Sequence, residues 1–297
     1  MAITNIEERL QYFASQVRRR WKNVSNECPN CKGLAYRTLD RKLVVIELRE
    51  CMRCKLMYRF PADTNDDNYE FYQKQYSQGF TTDLPDKDTL TELCRSNFAG
   101  HEKSYAGLIE LIERLGFGPG ARIFDFGSSW GFGSWQFGHR GFDVKAYEIS
   151  SMRAEFSKRE LNVNCETDIS ILESSDELHG YFDIFFSNHV FEHIPSPRRA
   201  IQLARRLAKK GGVFIAVTPN GSLDFRSVAP RAWHHFWGKV HPNLISDLYW
   251  KTAFENDPYF IGGLPMEKRE IDNWTLNGGQ FLGDRSNAEL LCVARLL

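Results

Sequence analysis

Beyond residue 120, short apolar runs alternate with stretches whose apolar residues recur every three or four positions. Helices are predicted near 131–140, from Ser151 and through RRAIQLARRLAKKG. The strand-like runs between them are ARIFDFG, DVKAYEI, NVNCETD, YFDIFFSN and VFIAVTP, followed by YFIGG at 259–263 and ELLCVARL at 289–296. Strands separated by helical crossovers pair in parallel, so the pattern predicts a doubly wound α/β sheet with helices on both faces.

The pattern before residue 120 is different. Residues 5–21 place apolar side chains at Ile6, Leu10, Phe13 and Val17, which predicts one amphipathic helix. LVVIEL at 43–48 reads as a strand, and SYAGLIELIERLG as a helix that ends near Gly116. We therefore predict a small N-terminal module at 1–60, a linker with lead-in helices at 61–120, and the α/β domain at 121–297.

Composition restricts the function classes. A chain of 297 residues is long enough for two domains. Its 38 Lys and Arg balance 38 Asp and Glu, so it lacks the basic field that concentrates nucleic acid, and a nucleic-acid partner is not expected. The N-terminus does not read as a signal peptide and no 18-residue apolar run occurs, which favours a cytoplasmic protein without a membrane partner.

Two CxxC pairs stand in the N-terminal module. Cys28 and Cys31 form the first pair, and nineteen residues later Cys51 and Cys54 form the second. This spacing is typical of zinc sites in which two knuckles supply four thiolates, and four cysteines leave no position for water. We predict a structural Zn²⁺ site, with two unrelated, metal-free CxxC pairs as the alternative.

A glycine-rich loop follows the first strand of the α/β domain. The segment IFDFGSSWGFGSW contains Asp125, then Gly127, Gly131 and Gly133 before a helix begins. Glycines let backbone amides approach a ligand at a helix N-terminus, although such a loop also suits a dinucleotide or a plain tight turn. Polar residues follow the later strands, namely Glu148, Asp168 and Asn188.

Together these residues resemble the class I S-adenosylmethionine-dependent methyltransferases. The resemblance covers about residues 120–297 and implies a seven-stranded Rossmann-like sheet with an antiparallel last strand. It also implies that Asp125 and the loop from Gly127 to Gly133 surround the methionine portion, Glu148 the ribose, Asp168 the adenine, and Asn188 the backbone near the sulfonium. Ser128 and Ser129 depart from the family's glycine pattern, and Ser129 replaces its second glycine.

The cysteine module followed by FYQKQYSQGF at 71–80 is similar to sugar C-methyltransferases, which have a Y-x-x-x-Y segment in this place. The resemblance implies a small polar acceptor, such as a saccharide or nucleotide-linked sugar. A zinc-ribbon RNA methyltransferase and a non-catalytic scaffold with a degenerate cofactor site are the alternatives. The sequence indicates no oligomeric state.

His189, Glu192 and His193 follow the fourth strand. Their H-x-x-E-H spelling also occurs in zinc proteases, but Pro195 and Pro197 exclude the long helix which that motif needs. Ubiquinone-pathway O-methyltransferases carry E-x-x-E-H here, which suggests a divalent metal, but a histidine in the first position weakens affinity for magnesium. We predict that His189 takes the acceptor proton or orients the acceptor, while His193 could be a structural histidine at a turn.

A histidine-rich aromatic segment follows the fifth strand. RAWHHFWGKVHPN contains three more candidates for the base, and by the family resemblance it would roof the acceptor pocket together with Tyr72 and Tyr76 of the linker. A plain packed aromatic cluster is the alternative. The three histidines are His234, His235 and His241.

Overall fold

The computed structural model describes residues 6–21, 25–63 and 83–297. Tyr72 and Tyr76 lie outside the described residues. A four-stranded sheet stands near the N-terminus in the order β1-β2-β3-β9, with all neighbours antiparallel. Its strands are β1 (Tyr36–Lys42), β2 (Ile46–Cys51), β3 (Met57–Phe60) and β9 (Asn243–Leu244).

The larger sheet has the order β11-β10-β12-β8-β7-β4-β5-β6 among the residues described. Neighbours from β8 to β6 are parallel, and β12 runs antiparallel to both β8 and β10. The strands are β4 (Arg122–Phe126), β5 (Asp143–Tyr147), β6 (Asn164–Glu166), β7 (Phe182–Asn188), β8 (Ala208–Pro219), β10 (Tyr259–Leu264), β11 (Gln280–Leu282) and β12 (Glu289–Arg295).

The helices follow the strands of the sheet in alternation. Before the sheet lie α1 (Ile6–Trp21), α2 (Lys87–Arg95) and α3 (Ala106–Arg114). The others are α4 (Phe132–Arg140), α5 (Ser151–Leu161), α6 (Ile169–Ser174), α7 (Pro197–Leu207), α8 (Leu223–Val228), α9 (Pro230–His235), α10 (Asp247–Ala253) and α11 (Lys268–Asn277). None of the helices in the described part of the chain is long and apolar enough to cross a membrane.

The predicted α/β fold is confirmed, including the antiparallel last strand β12. The sheet has one strand more than the seven expected, because β11 adds three exposed residues beside β10. Three residues are too few to show a period, so the sequence pattern does not predict this edge strand. The sheet is covered by two layers of buried apolar side chains, one of which contains Phe185 and Phe214 and the other Ile184 and Phe186.

The strand predicted at 43–48 is partly wrong. Residues 43–45 form the turn of a hairpin between β1 and β2, and the strand itself begins at Ile46. Leu43 and Val44 take φ of 49° and 60°, a conformation that β-branched and bulky residues rarely adopt, and both are exposed. An apolar run predicts a strand from side-chain character alone, whereas pairing of Lys42 with Ile46 fixes the turn here.

The N-terminal module shares its sheet and its core with the larger unit. Strand β9, which lies far along the chain, pairs with β3, and the Arg59 amide donates to Pro242 O over 2.7 Å. Cys28, Cys31 and Cys51 belong to the same buried cluster as Tyr249 and Trp250 of α10. The boundaries predicted at residues 60 and 120 stay a prediction.

Candidate active site and metal centre

The four cysteines of the CxxC pairs meet at one point. The Cys28 and Cys54 sulfurs are 3.6 Å apart, those of Cys31 and Cys51 are 3.5 Å apart, and all four lie within 4.8 Å of one another. A tetrahedral zinc ion with Zn–S bonds of about 2.3 Å separates its sulfurs by about 3.8 Å. The donor set and its spacing therefore fit Zn²⁺.

Both CxxC pairs adopt the same knuckle turn. The amide of Lys32 donates to Cys28 O over 2.9 Å, and Lys55 repeats this bond to Cys51 O over 3.0 Å. Lys32 and Lys55 also share a positive φ, 62° and 61°. A Cβ on Gly33 would stand 3.3 Å from the Cys31 sulfur, so the knuckle is tight against the thiols. The same turn at both CxxC pairs indicates that the four cysteines belong to a single binding site.

The glycine-rich loop leaves β4 and turns sharply into α4. Gly127 takes φ of 88°, and a Cβ there would lie 2.3 Å from a Val190 methyl carbon. The amides of Gly127 and Ser128 both donate to Tyr147 O of β5. The loop is therefore held against the end of the neighbouring strand and beside the segment that follows β7.

Glu148 and Ser129 meet directly, although they lie on different loops. The buried Glu148 carboxylate accepts bonds from the amides of Ser129 and Ser150, each over 2.8 Å. Burial raises the pKa of Glu148, and these two bonds act in the opposite direction. The sequence-predicted ribose carboxylate thus stands at the glycine-rich loop.

Ser129 sits in the left-handed conformation that its usual glycine would favour, with φ of 53°. Arg153 of α5, which is 2 % exposed, donates from Nη1 to Ser129 Oγ over 2.9 Å. A non-glycine residue in this conformation costs roughly 1–2 kcal/mol. The bonds to Glu148 and Arg153 offset this cost, so the loop is stabilised with serine in the position of the usual glycine. Arg153 carries no motif, and the sequence analysis missed it.

Asp125 is buried inside β4 and accepts a bond of 2.5 Å from Ser134 Oγ of α4. Burial raises the pKa of Asp125 to about 7, and the Ser134 bond only partly opposes it. The carboxylate therefore connects β4 to the first turn of α4.

Tyr105, just before α3, is a site residue that the sequence analysis missed. Its ring packs so closely on Gly133 that a Cβ there would lie 2.2 Å from Tyr105 Cε2. Asn188, at the end of β7, donates from Nδ2 to Tyr105 Oη over 3.2 Å. Burial raises the pKa of Tyr105, with the Asp125 charge adding to the rise. The lead-in segment therefore reaches the predicted sulfonium region.

Asp168 is the N-cap residue of α6. It is exposed, and its Oδ1 accepts from both the amide and the hydroxyl of Ser170. The bonds to Ser170 lower the pKa of Asp168. The structure gives Asp168 a helix-capping role, and its proposed contact with adenine would use the other carboxylate oxygen.

His189 bridges two carboxylates at the carboxyl end of β7. Its Nδ1 lies 3.2 Å from Glu192 Oε1 and its Nε2 lies 2.9 Å from Glu289 Oε1. Glu289 begins the antiparallel strand β12, which is why a residue 100 positions later reaches this edge. Partial burial lowers the pKa of His189, but the bonds to Glu192 and Glu289 outweigh it and raise the pKa to about 10. A charged ring fits the second of the two predicted roles, orienting the acceptor, better than the first, taking its proton.

His193 and His241 face each other beside Glu192. Their ring centroids are 4.6 Å apart in an edge-to-face arrangement. His193 Nδ1 lies 2.9 Å from Val240 O, and His241 Nδ1 lies 2.8 Å from Phe236 O. Burial lowers the pKa of His193 to about 4, so this ring is neutral.

The other two histidines of the aromatic segment lie elsewhere. His234 Nδ1 is 2.6 Å from Asp40 Oδ2 of β1, and the Trp237 indole donates to the same oxygen over 3.0 Å. His235 is exposed. Of the three predicted roof histidines, the structure brings only His241 next to Glu192 and His193.

Comparison with known proteins identifies the family. A family model described as a methyltransferase domain (Methyltransf_23) matches residues 100–257, more than half of the 297 residues. The chain therefore belongs to this family. It is an S-adenosylmethionine-dependent methyltransferase. No curated protein matches the chain.

Three solved structures that are similar to this chain are compared with it by sequence identity, TM-score and the share of each chain that is covered. The YcgJ protein from Bacillus subtilis is 16% identical, with a TM-score of 0.43 over 64% of this chain and 98% of that one. Geranyl diphosphate C-methyltransferase from Streptomyces coelicolor is 15% identical, with a TM-score of 0.47 over 78% and 97%. A possible histamine N-methyltransferase from Thermotoga maritima is 20% identical, with a TM-score of 0.44 over 71% and 97%.

Proposed function

We propose that this methyltransferase transfers the methyl group of S-adenosylmethionine to a small polar acceptor, a saccharide or nucleotide-linked sugar. The observation that carries the cofactor part is the buried Glu148 carboxylate at the end of β5, 2.8 Å from the Ser129 amide of the glycine-rich loop. A carboxylate in this place can accept hydrogen bonds from both ribose hydroxyls.

The remaining cofactor contacts follow from the edge at which the parallel strands end. Ligands of open α/β sheets bind at the carboxyl ends of the strands. We assign the methionine portion to Asp125 and the loop of Gly127, Ser128, Ser129, Gly131 and Gly133, the ribose to Glu148, the adenine to Asp168 and the sulfonium region to Asn188. Tyr105, bonded to Asn188, joins this set.

The bonds of Ser129 support a working cofactor loop over a degenerate one. Its amide donates to Glu148 and its hydroxyl accepts from Arg153, so the unusual residue is used rather than merely tolerated. In a loop that no longer binds the cofactor, we would not expect a buried arginine to keep a hydrogen bond to this serine.

For His189 we propose that it orients the acceptor instead of taking its proton. Both ring nitrogens face carboxylate oxygens that can only accept, so each carries a hydrogen and neither offers a lone pair. By this bridge His189 ties the ends of β7 and β12 together beside Asn188. It is therefore a positioning residue.

The four cysteines are proposed to hold a structural Zn²⁺ ion. A closed set of four thiolates leaves no position for substrate or water, so the ion would contribute folding energy and no chemistry.

Two measurements test the proposed function. Calorimetry with S-adenosylhomocysteine should show micromolar binding, and its absence would favour the scaffold alternative. Incubation with S-adenosylmethionine and a panel of nucleotide sugars should then give a mass increase of one methyl group. Salt-sensitive RNA binding in a filter assay, together with no methylated sugar, would favour the RNA methyltransferase instead.

With an accepted sugar in hand, His189→Gln should lower kcat without displacing the limbs of the pH profile, and S-adenosylhomocysteine affinity should be nearly unchanged. Loss of a limb of the profile would restore His189 as the base.

A further inference from the structure

Glu192, His193 and His241 form a second group of metal-ligand side chains, apart from the four cysteines. One ligand atom from each lies within 4.8 Å of the other two. Glu192 and His193 follow β7, and His241 comes from the segment before β9, so the fold brings the group together from distant parts of the chain.

Backbone carbonyl groups fix the tautomer of both imidazoles. His193 Nδ1 bonds to Val240 O and His241 Nδ1 bonds to Phe236 O, and a carbonyl oxygen only accepts. Each Nδ1 therefore carries the hydrogen, and the lone pair is on Nε2. Metal-binding histidines are fixed in the same way, with the second nitrogen donating to a carbonyl or carboxylate.

Glu192 supplies a buried anionic oxygen. The side chain is completely inaccessible to solvent, and its Oε1 bonds to His189 Nδ1 and lies 3.8 Å from His193 Nε2. Its Oε2 is buried and has no hydrogen-bond partner within the part of the chain that the structure describes. An unpaired buried carboxylate oxygen is costly, and coordination to a cation would remove that cost.

We propose that Glu192, His193 and His241 bind a divalent first-row transition-metal ion such as Zn²⁺ or Fe²⁺. Two imidazoles and one carboxylate suit these ions, whereas Mg²⁺ and Ca²⁺ require mostly oxygen ligands. Bonds of about 2.0–2.2 Å bring neighbouring ligand atoms to roughly 3–3.5 Å. The Glu192 Oε1 and His193 Nε2 atoms are already 3.8 Å apart, so the group needs little rearrangement around an ion. Three protein ligands leave coordination positions open.

This site differs from the one that the H-x-x-E-H spelling suggests. There His189 and His193 would be the paired ligands, but His189 is turned towards Glu192 and Glu289. His241, which the motif does not include, takes its place.

The role of the ion rests on the proposed function. An open coordination position near the carboxyl end of β7 would take an acceptor oxygen, and a bound ion lowers the pKa of a coordinated hydroxyl. The acceptor could then lose its proton without a histidine base.

Metal content tests the site without any acceptor. Equilibrium dialysis of the whole chain against micromolar zinc, followed by mass-spectrometric metal analysis, should give two equivalents for the wild type. His241→Gln and His193→Gln should each give one equivalent, because a glutamine amide can still donate to the carbonyl oxygen but does not replace the imidazole ligand. The exposed neighbour provides the matched control, since His235→Ala should keep two equivalents.

Cobalt gives a second measurement on the same protein. Added to chains that already hold one zinc equivalent, Co²⁺ should produce visible ligand-field bands without a thiolate charge-transfer band, and His241→Gln should remove them. One equivalent in the wild type, or two in both glutamine variants, would overturn the proposal. Calorimetry with S-adenosylhomocysteine on these proteins reports on the proposed function separately, because none of the three residues is assigned to the cofactor.

Discussion

Single side chains decide the chemistry of this site, and several of them depend on partners that no local pattern shows. The positions of Asp125, Glu148 and Asn188 at strand ends could be predicted, because apolar runs locate the strands. The raised pKa of His189 could be predicted only in part, because Glu192 lies three residues away in sequence whereas its second partner, Glu289, begins the last strand. Arg153 and Tyr105 could not be identified as site residues, because a single arginine on a helix and a tyrosine before a helix belong to no motif.

Glu148→Gln should weaken S-adenosylhomocysteine binding by a factor of about 10 to 100. A hydrogen bond to a charged group contributes about 1.5–3 kcal/mol, and the amide also turns a donor towards the Ser129 or Ser150 amide. Calorimetry checks the affinity, with Glu155→Gln on the exposed face of α5 as the control. Equal affinity in wild type and Glu148→Gln would remove Glu148 from the ribose site.

Asp125 should make stability depend on pH. Burial raises the pKa of its carboxyl from 3.8 to about 7, so the folded chain binds a proton that the unfolded chain releases. The stability that this proton contributes is complete below pH 3.8 and is lost as pH rises towards 7.

The uncharged variant Asp125→Asn should therefore gain stability relative to the wild type over this interval. Urea unfolding without cofactor, at several pH values between about 5 and 8, measures the difference. Asp168→Asn, which changes an exposed carboxylate, should show no such rise. A difference that stays constant with pH would mean that Asp125 does not titrate in this interval, contrary to a pKa of about 7.

At the scale of elements, the sequence pattern located the parallel strands and their helices well and the hairpin poorly. Parallel pairing follows from the helical crossovers between the strands, whereas a turn is defined by backbone angles that Leu43 and Val44 do not favour. The same applies to β9, whose two residues are too few for a period.

The loop between β4 and α4 can be tested by separating strain from hydrogen bonding. Ser129→Ala and Ser129→Gly both lose the bond from Arg153, but only glycine relaxes the positive φ of 53°. The glycine variant should therefore be the more stable by about 1 kcal/mol. Urea unfolding compares them.

Ser128 gives the matched pair for this test, because its φ is not positive. There alanine should be the more stable, since glycine only adds freedom to the unfolded chain. Equal stabilities at position 129 would mean that its backbone relaxes on substitution.

At the scale of the whole molecule, the four-cysteine module and the methyltransferase sheet are joined more closely than the cysteine spacing suggests. Three of the cysteines are buried among aromatic side chains of the larger core, and Asn30 of the first knuckle accepts a 2.7 Å bond from the Arg198 amide of α7. Contacts between the two parts leave no periodic signal in the sequence, so the sequence alone does not connect them.

Cys51→Ser should release the metal and raise hydrogen exchange beyond residues 26–60. Because β9 pairs with β3 and Trp250 packs in the cysteine cluster, amides at 243–250 should lose protection too. Exchange mass spectrometry measures both segments. Cys94→Ser, on α2 outside the cluster, should leave them unchanged. Protection at 243–250 that survives metal loss would show that the two units unfold separately.

The pairing of β3 with β9 also limits how this enzyme can be divided. A chain shortened to residues 100–297, starting where the family match starts, would keep β9 but lose β3, its only partner strand in the described sheet. The unpaired edge of β9 would then lie next to the Asn243 amide, which donates a hydrogen bond to Glu192 O over 3.1 Å. Unpaired strand edges tend to pair with other chains. The α/β domain is therefore a poor candidate for modular exchange between proteins, and domain shuffling would have to move the N-terminal module together with it.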